Sequence, residues 1–450
     1  MSQELLAVES AGVLKAHGYI ALLVGGCVRD RLLGSEPKDY DIATNARPDQ
    51  ILALFPNARL VGAQFGVVMV PGEGDGHIEV ATFRSDHSYS DGRHPGRVEF
   101  ESDPRQDVLR RDFTINALLQ NAETGEVFDY VGGQQDLRAR IVRAIGNPEL
   151  RFMEDHLRML RAIRFAARLD FTIEPDTFAA IRRLAPKIQD ISAERVRDEL
   201  VRILTEGHAR QGLELLDRSG LLAQILPEVK AMQGVEQPPQ YHPEGDVWNH
   251  TLLMMDKLNQ PTETLAMGVL LHDVGKPATF RVAERIRFDG HVEAGVEIAK
   301  RILSRLKFSR LDCEQILALI ENHMRFKDVQ QMRDSTLKRF LRLPEFEEHL
   351  ELHRVDCLSS HGMLDNWRLM REKMQSLSAE ELRPARLLTG RDLIAAGFQP
   401  GPAFSGALEA VETAQLEGHI NSKQEALEVA EKHLTGAAAS SSAPGVKAAV

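Results

Sequence analysis

The sequence predicts an α+β protein: a small mixed-sheet head followed by an elongated all-α remainder. Short apolar or alternating runs at residues 21–24, 67–70 and 77–83 crowd into the head and read as strands. From Ile141 onward the apolar residues recur at helical spacing instead. Leu, Ala, Arg and Glu dominate a chain with only 6% aromatics, which favours helix over a large sheet.

A chain of 450 residues is too long for one ordinary core. The expected divisions are a head at 1–140, a helical neck at 141–236, a histidine-bearing helical domain at 237–360, a helical tail domain at 361–436 and a disordered tail at 437–450. Hydrophobic content of 43% with 27% charged residues is that of a globular protein. Cys27, Cys313 and Cys357 are scattered without metal-type spacing, so a reduced, cytoplasmic setting without disulfides is expected. The polar start at Ser2, Gln3 and Glu4 is unlike a signal peptide, and no window approaches the roughly 18 apolar residues of a membrane span. A net charge of −11 excludes a globally basic nucleic-acid binder. Any RNA contact must use a local basic stripe and be salt-sensitive. The residues carry no signal for an oligomeric state.

In chain order, residues 1–17 read as an amphipathic helix with Leu5, Leu6, Val8, Val13 and Leu14 on its apolar side. Residues 22–42, LLVGGCVRDRLLGSEPKDYDI, follow. They read as a strand, a Gly25-Gly26 turn, a short helix with Arg29 and Asp30, a loop through Pro37, and a second strand bearing Asp39 and Asp41. Strand side chains alternate, so the two carboxylates face one way about 7 Å apart along the chain. They repel unless a cation sits between them. All-oxygen ligands suit Mg²⁺, which also engages substrate phosphates. The glycines admit a phosphate close to the backbone, and Arg29 answers its charge. The stretch therefore points to metal-assisted nucleotidyl transfer.

Residues 48–55 read as a helix with Pro48 in its first turn, and residues 59–61 as a further strand. Glu79 suits a third metal carboxylate, and equally an ordinary solvent-facing strand position. Residues 84–99, RSDHSYSDGRHPGRVE, read as a polar loop, either mobile beside the site or a plain surface connection. Residues 107–119, DVLRRDFTINALL, read as a charged helix start, and Gly132-Gly133 as a turn. Residues 151–169 read as one periodic helix. Asp155 and Arg158, three apart, share a face that Arg161 continues. Helices at 191–204 and 211–216 lead to a Pro- and Gly-rich boundary, VEQPPQYHPEGD, at 235–246. Beyond it stand His250, the His272-Asp273 pair, His291, His323 and Asp356. Residues 434–450 are low-complexity and read as disordered.

The segments GGCVRD, KDYDIAT, RRDFTINALL, DYVGGQQDL and EDHLRMLRAIRFAARL occur in that order. Together they make the head and neck resemble the class II tRNA nucleotidyltransferase and poly(A) polymerase enzymes of the polymerase-beta superfamily. The resemblance implies that Asp39 and Asp41 hold Mg²⁺ and that Gly26 and Arg29 contact nucleotide phosphates. It places Arg111 on the nucleotide, and Asp112 and Asn116 near the ribose. Asp155, Arg158, Arg161 and Arg164 match the family's nucleotide-binding helix, whose template is protein. The implied partners are tRNA, ATP and CTP. Cytosine and adenine each carry an amino donor beside a ring-nitrogen acceptor, which a carboxylate and a guanidinium can read together. Guanine and uracil show the opposite polarity and leave that pair unmatched. Transfer through two metals needs no covalent nucleophile.

The later segment resembles the HD phosphohydrolase superfamily. His250, His272, Asp273 and Asp356 stand where that family places metal ligands, and His291 and His323 match a second metal position of some members. A divalent metal is implied: Mn²⁺, Fe²⁺, Ni²⁺ or Zn²⁺, with Mg²⁺ reachable through the carboxylates. Hydrolysis of a phosphoester, such as a 2′,3′-cyclic phosphate on an RNA end, would be a second activity. The retained segment with Tyr89, Asp91, Arg93, His94 and Pro95 favours full CCA addition or addition of A alone. The low-complexity tail, with Lys447 as its single basic residue, is unlike a poly(A) polymerase extension. A metal-dependent phosphohydrolase with a nucleotide-binding head is the alternative of another class, against which the intact Asp39 and Asp41 weigh.

Overall fold

A computed structural model describes residues 2–61, 66–74, 76–89 and 95–441. The chain forms two compact units: residues 1–237 with 245–313, and residues 238–244 with 314–450.

The first unit opens with α1 (Gln3–Ala16), β1 (Ala21–Val24), α2 (Gly26–Leu32), β2 (Asp41–Thr44), α3 (Pro48–Leu54), β3 (Arg59–Leu60), β4 (Val67–Pro71) and β5 (His77–Thr82). After them come β6 (Arg84–Tyr89), β7 (Pro95–Phe100), α4 (Pro104–Leu109), β8 (Leu119–Gln120) and β9 (Val127–Phe128). The main sheet has the order β3-β4-β5-β2-β1-β8-β9. Only β2 and β5 run parallel, so the sheet is mixed as expected. All four residues of β1 are buried, which suits a strand flanked on both edges and covered on both faces. Leu22 and Val24 join Ala43, Phe83, Val108, Ala117, Leu119 and Ile145 in the head core.

Three expectations in the head need correction. The buried face of α1 is Ala7, Ser10, Ala11 and Leu14, whereas Leu5 and Val13 are exposed. Small side chains let this helix lie close against β1, β2 and β5, which hydropathy alone does not reveal. The second carboxylate strand begins at Asp41, and Asp39 lies in the irregular segment before it. Residues 84–89 and 95–100 are not loop: they pair as an antiparallel ribbon, from Arg84 opposite Phe100 to Tyr89 opposite Pro95. A ribbon apart from the main sheet needs no apolar face, so its strands carry no hydropathy signal. Asp91, Arg93 and His94 lie outside the described residues.

Next come α5 (Gly133–Ala139), β10 (Ile141–Val142), α6 (Pro148–Glu154), α7 (Arg158–Leu169), β11 (Thr172–Ile173), α8 (Pro175–Leu184), α9 (Ala193–Thr205) and α10 (Ala209–Arg218). The single helix expected over 151–169 is thus two. Asp155 is extended, with φ −146° and ψ 107°, and its Oδ1 accepts from the Leu157 amide at 3.0 Å. A short polar side chain that bonds its own backbone competes with helix continuation.

Short helices α11 (Leu221–Ile225) and α12 (Pro227–Lys230) precede α13 (Val247–Asp256), α14 (Glu263–Leu271) and α15 (Lys276–Thr279). A small ribbon, β12 (Arg281–Val282) with β13 (Ile286–Arg287), leads to α16 (His291–Arg305). At Gly275 a Cβ atom would sit 2.1 Å from the His291 carbonyl oxygen and 2.5 Å from the Gly295 nitrogen. Only glycine lets the turn after His272-Asp273 touch the start of α16.

Helix α17 (Arg310–Asn322) begins in the first unit and ends in the second. The second unit continues with a 3₁₀ segment at His323–Gln331, α18 (Asp334–Leu341), α19 (Phe346–Ser359), α20 (Asp365–Ser376), α21 (Ala379–Leu382), α22 (Gly390–Ala395), α23 (Ala403–Leu416) and α24 (Lys423–Ser441). Phe326, Phe340, Phe346, Leu350 and Met370 form one of its cores, and Leu393, Ala407, Val411 and Ala426 another. Helix α24 runs to Ser441, which corrects the expectation of disorder from 437; residues 442–450 lie outside the described residues. Among the described residues, no helix is long and apolar enough to cross a membrane.

Candidate functional site

The parallel pairing of β2 with β5 sets Asp41 directly beside Glu79. Burial and the charge of Glu79 push the Asp41 carboxyl up to about 6, with Asp39 adding to the effect and Arg111 opposing it. Asp41, with Glu79 beside it and Asp39 near it, forms an oxygen-only donor set in which a cation would offset the cost of ionising Asp41. Glu79 is thereby drawn into the group, a position the alternation of β5 left open.

Gly25, at φ +78°, ends β1 in a backbone conformation that side chains rarely adopt. Its missing Cβ would lie 3.7 Å from Nη1 of Arg111, so a guanidinium covers the turn. Arg111 is held from behind by Asp107, with Nη2 donating to Oδ2 at 2.8 Å, while Arg110 donates to Oδ1 of the same carboxylate at 2.6 Å. Burial would raise the Asp107 carboxyl, but its two arginines outweigh burial and lower it.

Behind this turn the polar residues are paired with one another. Arg29 is 2% exposed; it contacts Asp30 at 2.7 Å and donates to the Asn116 amide oxygen at 2.6 Å. Arg29, expected as a phosphate contact, is placed here directly against Asn116. Gly26 opens α2, directly beside the Arg29 guanidinium. Asp112 accepts from the Phe113 amide at 2.8 Å and from Nε of Arg161 at 2.8 Å. Burial alone would raise its carboxyl; Arg161, with Arg158 behind, outweighs burial and holds it at about 2.

At the α6–α7 junction, Asp155 closes one helix and Arg158 opens the next. The expected shared helix face is therefore corrected to a break between two helices. Asp155 Oδ2 accepts from Nη2 of Arg195 at 2.9 Å, and Arg158 donates to Glu154 at 2.5 Å. Arg164 is 5% exposed and lies 3.0 Å from Glu199 without the alignment of a hydrogen bond, its guanidinium 4.6 Å from the Phe165 ring centroid. The structure places Arg164, expected as a nucleotide contact, in this internal pairing. Arg195 and Glu199 of α9 were not anticipated. The available signal was Glu199 itself, a carboxylate in the otherwise apolar stripe Val196, Leu200 and Ile203.

The first unit also gathers His250, His272 and Asp273, all buried, with one ligand atom of each within 4.8 Å of the others. Nδ1 of His272 lies 2.8 Å from the Val269 carbonyl oxygen and Nδ1 of His291 lies 2.9 Å from that of Phe288. A carbonyl only accepts, so each Nδ1 carries the proton and each Nε2 is left as a potential metal ligand. Nε2 of His291 stands 3.8 Å from Asp273, and burial lowers the His291 pKa, favouring the neutral form that binds metals. In the second unit, buried His323 repeats the pattern, its Nδ1 2.7 Å from the Ile320 carbonyl oxygen, and Asp356 lies on α19. Within the first unit, His250, His272 and Asp273 form a group able to hold a metal ion.

Comparison with known proteins gives a consistent answer. Residues 21–143 match the poly A polymerase head domain, residues 170–233 a probable RNA- and SrmB-binding site of polymerase A, and residues 241–359 the HD domain. The chain is 35% identical to a CCA-adding enzyme of Levilactobacillus brevis over 92% of its own length and 94% of the relative's. It is 36% identical to a multifunctional CCA protein of Halorhodospira halophila, over 86% of this chain and 93% of that one. The crystal structure of a Bacillus stearothermophilus CCA-adding enzyme in complex with CTP superposes with a TM-score of 0.75 at 28% identity, covering 98% of this chain and 100% of that one.

The Asp112–Arg161 pair makes stability pH-dependent in a defined sense. A carboxyl held at about 2, against 3.8 when unfolded, contributes about 2 kcal/mol above pH 4. That contribution fades as the pH falls from about 4 through about 2. Asp112→Asn should therefore be less stable than the parent at neutral pH, and the gap should narrow through that acid range. Denaturant unfolding at several pH values measures it, and a gap constant with pH would refute the pairing.

Proposed function

The chain belongs to the family of CCA-adding enzymes, and we propose that it adds C, C and then A, from CTP and ATP, to the 3′ end of tRNA. The observation that carries this is the full-length relationship to CCA-adding enzymes together with the carboxylate group on β2 and β5. The same relationship favours CCA addition over A-only addition and over poly(A) synthesis. We take residues 1–140 as the transferase head, 141–236 as the selecting and RNA-binding neck, 237–360 as the HD domain and 361–436 as the tail. Three free cysteines suit work in the cytoplasm.

Asp39 and Asp41, with Glu79 beside them, would hold Mg²⁺, which when bound activates the tRNA 3′-hydroxyl and offsets the charge of departing pyrophosphate. Arg111, anchored on Asp107 above the Gly25 turn, supplies a fixed positive charge for the triphosphate. Asp112 and Asn116 orient the ribose side of the site, Arg29 supporting Asn116. Asp155 accepts from the exocyclic amino group of cytosine or adenine, and Arg158 donates to the ring nitrogen. Arg195 and Glu154 fix the directions in which these two side chains point, and Arg161 and Arg164 stiffen the helix that bears Arg158. A guanine or uracil would leave both selector groups unmatched, which such sites reject strongly.

A second reading concerns the HD cluster. The shared Nδ1-to-carbonyl arrangement of its histidines favours a working metal site, with a phosphoester such as a 2′,3′-cyclic phosphate as substrate. His250, His272, Asp273, His291, His323 and Asp356 are its proposed ligands, and their mixed nitrogen and oxygen set suits a divalent transition metal.

The test is to incubate the protein with tRNAs ending before CCA, after C and after CC, supplying each nucleotide in turn, and to sequence the ends. C should be added to the first two and A only to the third. Asp41→Ala should reduce incorporation by at least about a thousandfold, as expected for loss of a metal-bearing group; near-normal incorporation would sink the carboxylate assignment. Asp155→Ala should reduce the preference for CTP and ATP over UTP and GTP by at least about tenfold, and unchanged selectivity would count against the selector. Replacing His272 and Asp273 together by Ala should remove phosphoester hydrolysis and spare nucleotide addition; survival of hydrolysis would refute the second reading.

A further inference from the structure

The HD cluster contains a cation of its own. Lys276 is only 7% exposed, and its Nζ lies 2.6 Å from Oδ2 of Asp273. The same ammonium donates to the side-chain oxygen of Gln237 at 2.7 Å and stands 5.3 Å from the Phe288 ring centroid. Gln237 comes from the Pro-rich boundary segment and is 3% exposed. An ammonium can only donate, so the amide oxygen must face it. The amide nitrogen of Gln237 then points elsewhere, and it is buried without a hydrogen-bond partner.

Asp273 Oδ2 is also 3.0 Å from Nε2 of His272. Lys276 and His272 thus converge on one carboxylate oxygen, and the ammonium supplies it with a fixed positive charge. A divalent metal on His272 and Asp273 would draw on the same oxygen. It would also stand close to the ammonium, and like charges at such range in a buried site repel strongly. Metal and Lys276 are thus rivals for one oxygen. Gln237 gives the displaced ammonium somewhere to stay, and adds a buried N–H donor beside it. An ammonium with an adjacent amide N–H is a recognition pair for a phosphate oxygen.

We propose that Lys276 is the resident counter-ion of the metal-free HD site and that a phosphate group draws it off Asp273, so that metal and phosphate bind cooperatively. The inference rests on the metal-binding reading of this cluster. It assigns to Lys276 and Gln237 the coupling between cofactor and substrate, a role distinct from ligating the metal.

Mn²⁺ binding to the full chain, followed by calorimetry and by electron paramagnetic resonance, tests the proposal. Asp39→Ala and Asp41→Ala are included throughout to silence the head. In this parent, inorganic phosphate should tighten Mn²⁺ binding by about fivefold or more. Lys276→Met should bind Mn²⁺ at least about fivefold more tightly without phosphate, and phosphate should then add nothing. Gln237→Leu should shift affinity the other way, because Lys276 keeps only Asp273 as its partner. A purely structural role would weaken binding in both variants. Weaker or unchanged binding in Lys276→Met, or phosphate coupling that survives it, overturns the proposal while leaving the metal site standing. If Lys276→Met does not fold, Gln237→Leu decides: affinity equal to or above the parent's overturns it. A parent that binds no more Mn²⁺ than its His272→Ala, Asp273→Ala counterpart overturns the metal reading and this inference together.

Discussion

The ion pair between Asp112 and Arg161 is the interaction on which the nucleotidyl-transfer half of this molecule depends. One partner sits in the head, in the turn after α4, and the other on α7 in the neck. Arg168 reaches from the same helix to Asp30 at 3.4 Å, and Arg29 ties α2 to Asn116. Together these contacts register the carboxylates of β2 and β5 against the α6–α7 junction. Buried charges are expensive unless paired and hydrogen-bonded, and an incomplete network costs more than an apolar one. Geometry that satisfies all of them at once is therefore sharply defined, which is what reading a base beside a phosphate requires.

Much of the head was legible because its signals are local. An apolar run ending at two glycines, followed by spaced carboxylates, can hardly form anything but a strand, a turn and a second strand with a shared polar end. The misreadings came where a long-range partner decides the outcome. Periodicity over 151–169 is helical throughout, yet Asp155 breaks it, because its carboxylate accepts from the Leu157 amide and is gripped by Arg195 forty residues later. Arg29 and Arg164 look like ligands for an anion in sequence, but each also meets a buried side chain far along the chain, Asn116 and Glu199 respectively. Such pairings leave no trace in spacing. Only Glu199, a charge in an apolar stripe, announced that something opposite must answer it.

The HD residues show the converse. Their spacing is irregular in sequence, so periodicity says nothing, and the motif was recognised by resemblance. What these histidines share is a local backbone partner. The Nδ1 atoms of His272, His291 and His323 all approach the carbonyl oxygen three residues earlier. Ring orientation is therefore set by the backbone just before each histidine and does not depend on long side chains packed around it. Gly275 then allows the His272-Asp273 turn to meet α16 with no intervening atom.

The carboxylate of Asp107 has a consequence for how an acidic protein attracts a polyanion. The chain carries a net charge of −11, which repels RNA at long range. Beside the Gly25 turn, however, one carboxylate holds the Arg111 guanidinium in place and anchors that of Arg110 as well. At physiological ionic strength the far field is screened within about 8 Å, so an approaching phosphate is nearly indifferent to the distant acidic surface. Inside that distance the fixed Arg111 guanidinium and the neighbouring carboxylates of Asp41 and Glu79 decide the outcome, so charge acts at a spot rather than through the sum over the chain.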